Sequence, residues 1–210
     1  MSDIDGFGPE DAIQGIDVSR ETLERLLVVV SELNDWRSRI NLIGPQEMAH
    51  IWRRHVYDSL QLLPHISLDK RLIDLGSGAG FPGLILASCM VETEGRVVLV
   101  ESVGKKCAFL REAADKAGLP VTVRNERVEA LKGVEADYVT ARAFAPLPKL
   151  LNYAAPWLEN GAVGVFPKGR RWQEELTEAA DCWTFAHEVI PSQSGDGVIL
   201  IIREVSRGAQ

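Results

Sequence analysis

From Asp74 to Gly83 the chain reads Asp-Leu-Gly-Ser-Gly-Ala-Gly-Phe-Pro-Gly, with glycines at 76, 78, 80 and 83. Four glycines within eight positions exceed what a tight turn needs. Glycine removes the Cβ and opens positive φ, so the pattern suits a loop across which a ligand lies against bare backbone. Glu101 closes the next apolar run, "RVVLVE" (96–101), where a carboxylate can accept both hydroxyls of a ribose. Arg142, in "TARAF" (140–144), offers a fork of donors and stays protonated, so it reads as a positioning group and not as a base. His55, three residues before Asp58, reads as a structural histidine. Cys89, Cys107 and Cys182 stand singly, with no CxxC and no zinc spacing, so we expect reduced cysteines and no metal.

These residues need a scaffold that brings them together. Apolar, β-rich runs occur at 71–75, 96–101, 120–124, 136–141 and 161–166, separated by helical stretches at about 82–91, 104–117, 145–158 and 170–180. This alternation predicts an α/β fold built on a mostly parallel sheet with helices on both faces. Two further runs, 182–190 and 197–205, flank the turn-rich "PSQSGD" and predict an antiparallel hairpin. Upstream, Ser19 is a candidate N-cap for a helix whose apolar stripe runs from Leu23 to Ile40. Gly44-Pro45 breaks that helix, and Met48, Trp52, Val56, Leu60 and Leu63 mark a second one ending at Pro64. The expected organisation is an acidic, flexible tail (1–17), an N-terminal helical extension (18–65) and a main domain (66–210), with extension and domain packed as one unit.

With 210 residues and 46% apolar content, the chain can fill one core. It has no apolar run long enough to span a membrane and no basic and apolar leader at its start, so we expect a cytoplasmic protein. The net charge is −7, but residues 1–17 hold five acids and no Lys or Arg, leaving −2 on the remainder. A nucleic-acid partner is therefore compatible with the charge. Arg37, Arg39, Arg53 and Arg54 form one basic cluster, and Lys168, Arg170 and Arg171 form a second after the fifth strand. Both are candidate RNA contacts.

Gly78 to Gly83 formally fits GxGxxG, the dinucleotide fingerprint, which would make an NAD-dependent oxidoreductase a rival reading. Read from the strand end, however, the sequence is D-x-G-x-G-x-G, which resembles the first motif of S-adenosylmethionine-dependent methyltransferases. Glu101 fits either nucleoside. The terminal hairpin favours the methyltransferase, whose Rossmann-like class I sheet has seven strands closed by an antiparallel C-terminal one.

More specifically, "WRSRINLIG" (36–44), "HVYDSL" (55–60), "DLGSGAGFPG", "VESVGKKCAFLREAA", "NERVEAL", "YVTARAFAPL" and "FPKG" follow in order. Together they resemble the small-subunit ribosomal RNA guanine-N7 methyltransferases, formerly called glucose-inhibited division protein B. The resemblance implies methyl transfer from S-adenosyl-L-methionine, leaving S-adenosyl-L-homocysteine, to N7 of one guanine in the decoding region of 16S rRNA. The implied partner is the small ribosomal subunit or its precursor, and we expect a monomer. The implied cofactor contacts are Gly76, Gly78, Phe81, Glu101, Val128, Glu129 and Arg142, with Arg142 also the catalytic positioning group. This sequence departs from the family in having Glu101 for a frequent Asp, "GLILA" for GIPLA, and Lys105-Lys106 for Lys-Arg.

The residues themselves also favour a ring nitrogen. "TARAFAPL" stands where exocyclic-amine methyltransferases resemble one another in Asn/Asp-Pro-Pro-aromatic, and no cysteine stands directly after the fourth or fifth strand to attack a pyrimidine. A methyltransferase for another RNA or a small molecule, and a non-catalytic ribosome-assembly factor, remain open alternatives.

Overall fold

The computed structural model describes residues 2–208; the outermost residues of the two expected terminal regions, 1 and 209–210, lie outside the described residues. The strands are β1 (Arg71–Leu75), β2 (Arg96–Val100), β3 (Val121–Arg124), β4 (Tyr138–Thr140), β5 (Val163–Lys168), β6 (Trp183–Pro191) and β7 (Val198–Arg207). They form one sheet in the order 3-2-1-4-5-7-6. β1 to β5 run parallel, and β7 is antiparallel to both of its neighbours. The helices are α1 (Pro9–Ile13), α2 (Arg20–Trp36), α3 (Pro45–Met48), α4 (Asp58–Leu60), α5 (Gly83–Cys89), α6 (Gly104–Lys116), α7 (Leu147–Leu158) and α8 (Trp172–Ala180).

Strand side chains alternate between faces, so neighbouring residues enter different cores. Leu72, Leu99 and Ile201 pack with α2, α5 and α6, whereas Ile73, Val100 and Ile202 pack with α7 and α8. Both sheet faces are thereby covered, which is why the central strands read as continuous apolar runs.

The N-terminal region differs from expectation in two places. Ser19 caps α2 as expected, its Oγ accepting from the Thr22 amide at 3.1 Å, but the helix stops at Trp36. The second helix is broken into pieces. After α3, the chain is π-wound over Trp52–Tyr57 before passing into α4, while Met48, Trp52, Val56 and Leu60 remain buried.

The acidic segment is also packed, contrary to the flexible tail expected from its charge. Asp3 is buried, and its two carboxylate oxygens accept from the Trp52 and Arg53 amides at 2.9 and 2.8 Å. Ala12 of α1 is fully buried, and Arg53 pairs with Asp5 while lying over the Phe7 ring. The charge of Asp3 thus satisfies backbone donors at the start of the π-wound turn.

Candidate active site

The loop after β1 folds over the end of β2, with the Gly76 and Ser77 amides both donating to the Val100 carbonyl at 2.9 and 3.0 Å. Gly76, Gly78 and Gly80 all have positive φ. Their reasons differ. A Cβ on Gly76 would fall 2.2 Å from Phe144 Cδ2, and one on Gly80 would fall 2.4 Å from Leu84 Cδ1, so these two glycines make room for the protein's own side chains. A Cβ on Gly78 would meet only the Gly76 carbonyl oxygen, at 3.7 Å. Space for a ligand is therefore open at Gly78.

Asp74, at the end of β1, is fully buried and accepts from Thr140 Oγ1 of β4 at 2.8 Å. Burial pushes its carboxyl up to about 6, against the lowering effect of its hydrogen bonds with Ser77 and Thr140. Glu101, just past β2, is 7% exposed; its Oε2 accepts from the Gly78 amide at 3.1 Å and its Oε1 from the Val103 amide at 2.8 Å. One carboxylate thus joins the glycine loop to the turn before α6.

Arg142 leaves the end of β4. Its Nη1 donates to the Arg54 carbonyl at 3.0 Å and lies 3.5 Å from Asp58 Oδ2, and its Nη2 bonds His55 Nδ1. Arginine only donates, so His55 Nδ1 accepts and the ring proton sits on Nε2. Burial, reinforced by the charges of Arg142 and Arg54, holds the His55 pKa down at about 3, so the imidazole is neutral at pH 7. Burial also lowers the Arg142 pKa, opposed by the nearby charges of Asp58, Glu47 and Asp74. Phe81 completes the group, its ring centroid 5.0 Å from that of His55 and 5.5 Å from the Arg142 guanidinium carbon.

Glu101, Arg142, His55 and Phe81 line a cavity of about 460 Å³. It lies at the carboxyl ends of β1, β2 and β4, where the strand order reverses and ligands of open α/β sheets bind. Gly76, Gly78, Phe81, Glu101, Val128, Glu129 and Arg142 all border it, Val128 and Glu129 through a 3-10 turn (Val128–Ala130) after β3. His55, Asp58, Glu47 and Phe144 belong to this site without having been expected there; all but Asp58 border the cavity, and Asp58 acts on it through Arg142. The segment "HVYDSL" carried a signal for the first two, since it places both in one short helical stretch.

The basic clusters are not gathered in the same way. Arg54 is exposed and borders a second cavity beside the first. Arg37 Nε donates to Asn34 Oδ1 at 3.0 Å, Arg39 lies over Trp36, and Arg53 is held by Asp5 and Phe7. Lys168 departs furthest from its expected place facing phosphate. Its side chain is 8% exposed, and Nζ donates to the Ala145 carbonyl at 2.9 Å and to Glu175 at 2.8 Å. A lysine pulled below the surface must be neutralised, and α8 supplies the carboxylate. Arg170 pairs with Asp196 and Arg171 with Glu174.

A mostly parallel sheet reversed at β7, with a glycine loop after β1 and a carboxylate after β2, has the Rossmann-like architecture of class I S-adenosylmethionine-dependent methyltransferases. Solved structures agree on the fold. An O-methyltransferase from Bacillus cereus in complex with SAH aligns with a TM-score of 0.58 at 15% identity, covering 93% of this chain and 96% of that one. A putative O-methyltransferase from Klebsiella pneumoniae aligns at 0.57 and 14% identity, covering 91% and 94%. At such identities the likeness is one of fold alone.

The sequence narrows the class. The family model described as "GidB: rRNA small subunit methyltransferase G" matches residues 22–195, and the chain belongs to this family. It is 62% identical over 192 residues to the ribosomal RNA small subunit methyltransferase G of Hyphomonas neptunium, covering 91% of this chain and 92% of the relative. It is 49% identical to the protein of that name from Paramagnetospirillum magneticum, covering 96% and 98%.

Proposed function

We propose that this protein transfers a methyl group from S-adenosylmethionine to N7 of a guanine in the 16S rRNA of the small ribosomal subunit or its precursor. Family membership supports the rRNA substrate. The observation that carries the chemistry is the single cavity bordered by Gly78, Glu101 and Arg142 at the strand-order reversal.

The residues present fit this cofactor. Glu101 uses one lone pair on each oxygen for the Gly78 and Val103 amides, leaving a second on each for the ribose hydroxyls. Gly78 offers bare backbone beside open space, and Val128 adds apolar surface for a base. Bound there, S-adenosylmethionine supplies an electrophilic methyl group on a sulfonium centre.

Guanine N7 carries an in-plane lone pair at neutral pH, so no proton has to be removed before attack. The site's own groups match that requirement. Arg142 is a permanent donor, and neutral His55 has its Nδ1 lone pair engaged by Arg142. The work left to the protein is alignment and exclusion of water. Arg142, fixed from Arg54, His55 and Asp58, positions what enters beside Phe81.

The test is transfer of labelled methyl from S-adenosylmethionine to unmethylated small subunits and, separately, to naked 16S rRNA, followed by nucleoside digestion. Label recovered as 7-methylguanosine is the expected result. Label in another nucleoside, or none in either RNA, overturns the proposal.

A further inference from the structure

A second cavity of about 550 Å³ adjoins the first, and Glu47, His55, Arg142 and Ala143 border both. Its far side is formed by Pro167 to Arg170, at and just past the end of β5, and by the β6–β7 loop. That loop is clipped to the N-terminal helices. Asp58 Oδ1 accepts from Ser194 Oγ at 2.6 Å and Ser192 Oγ at 3.3 Å, Gln61 Oε1 accepts from the Gln193 amide at 2.7 Å, and Tyr57 donates to Gln193 Oε1 at 2.6 Å. The N-terminal extension and the sheet thus share the walls of a cavity sized for a small ligand.

Two charged groups stand at the junction of the cavities. Arg142 presents donors only. Glu47 uses Oε2 to accept from the Gly44 amide at 2.8 Å and leaves Oε1 without a partner among the described residues. Its charge is near enough to oppose the lowering of the Arg142 pKa. Acceptor beside donor is the complement of one base edge. Guanine runs N2–H, N1–H, O6, N7 around its ring, so a carboxylate on N1–H and N2–H next to a donor on O6 leaves N7 exposed beyond them. Adenine presents an acceptor at N1 next to a donor at N6, the reverse order, and meets like with like.

We infer that the second cavity receives the target nucleotide, unstacked from the RNA, and that Glu47 reads guanine by accepting from its N1–H and N2–H while Arg142 donates to O6. The inference rests on the guanine-N7 reading above. It gives Arg54, exposed at the rim, the role of contacting the nucleotide's phosphate. It also gives Glu47 a part in the reaction. Methylation of N7 places positive charge on the purine, and a carboxylate on N1–H stabilises that charge as it forms.

The test pairs Glu47→Gln with a one-atom-group change in the RNA. Glutamine keeps an oxygen for the Gly44 amide, so the turn into α3 is preserved, but it has no charge and brings an NH₂ that can oppose N1–H. The substrates are small subunits whose rRNA carries guanine or, by ligation, a single inosine at the target, inosine lacking only N2–H₂. With guanine, the variant should lose about ten- to a hundredfold in kcat/KM, the scale of one hydrogen bond to a charged group. Affinity for S-adenosylhomocysteine should stay within about twofold. With inosine, the wild type should lose a comparable factor and the variant's further loss should be smaller than its loss on guanine, because both changes act on the one edge that the Glu47 carboxylate reads. Equal kcat/KM for variant and wild type on guanine overturns the inference, as do losses that multiply fully across the two changes. Absence of 7-methylguanosine with the wild type is a separate failure, that of the reaction itself. Should the variant not fold, the wild type's ratio between guanine and inosine decides alone, and a ratio near one overturns the inference.

Discussion

Gly76 and Gly78 are two residues apart, both with positive φ, yet the structure assigns them opposite work. At Gly76 (φ +69°) an alanine methyl would fall 2.2 Å from Phe144 Cδ2, inside the ring's contact distance. Left-handed backbone costs an alanine about 1–2 kcal/mol, and displacing a packed ring adds about 1–3 kcal/mol. The lower unfolded-state entropy of alanine offsets up to about 1 kcal/mol. Gly76→Ala should therefore destabilise the protein by about 2–4 kcal/mol, a fall in Tm of about 4–16 °C for a chain of this size. At Gly78 (φ +53°) the backbone term is similar but no side chain lies in the way. Gly78→Ala should cost only this backbone term, about 1–2 kcal/mol of stability at most, while its methyl enters the space where the ligand crosses and weakens S-adenosylhomocysteine binding by about tenfold or more. Urea denaturation and calorimetric titration on both variants measure the two quantities. Equal losses of stability, with equal effects on binding, would refute the division of labour.

Other substitutions probe the charged groups. Asp74 has its pKa raised from 3.8 to about 6, so between pH 4 and 6 the folded protein holds a proton that the unfolded chain releases, and stability from this group is lost as pH rises through that window. Asp74→Asn, which keeps an acceptor for Thr140, should gain on the wild type by up to about 3 kcal/mol between pH 4 and pH 7 in urea denaturation; a constant difference contradicts the assignment. His55 should stay neutral, its ring protons unmoved in NMR spectra from pH 8 to 5, and an inflection near 6.5 would show that the contact with Arg142 does not form. Arg142→Lys cannot hold Arg54, His55 and Asp58 at once, and should lower kcat/KM for small subunits by more than about tenfold with unchanged circular dichroism. Lys168→Ala should destabilise by about 3–5 kcal/mol, as breaking a buried pair does, and leave the salt dependence of RNA binding unaltered; Arg54→Ala should reduce the slope by about one ion.

Much of this was legible because it rests on local pattern. The parallel strands appear within three residues of the boundaries that their apolar runs suggest, and β6 and β7 within two. The glycine loop, Glu101 and Arg142 converge because strand ends in a parallel sheet all point to one edge. What stayed hidden depends on partners far along the chain. Nothing around Asp3 announces that its carboxylate caps amides 49 and 50 residues away. Lys168 reads as an entrance cation until α8 folds back and presents Glu175. His55 looks structural because its neighbour Arg142 is 87 positions downstream. The glycine spacing revealed a close approach, but tertiary packing decides that Phe144 and Leu84 fill two of the places and that the third, at Gly78, stays open.

The most direct test of the account exploits the fixed positive charge that N7 methylation puts on the purine, which makes that nucleotide alone sensitive to borohydride reduction and aniline-induced strand scission. Unmethylated small subunits are incubated with the protein and S-adenosylmethionine, and the rRNA is reduced, cleaved and mapped by primer extension. The account predicts one new scission at a guanine of the decoding region, dependent on S-adenosylmethionine and lost with Arg142→Lys. A methylated rRNA that shows no scission would place the methyl group on another atom and contradict it.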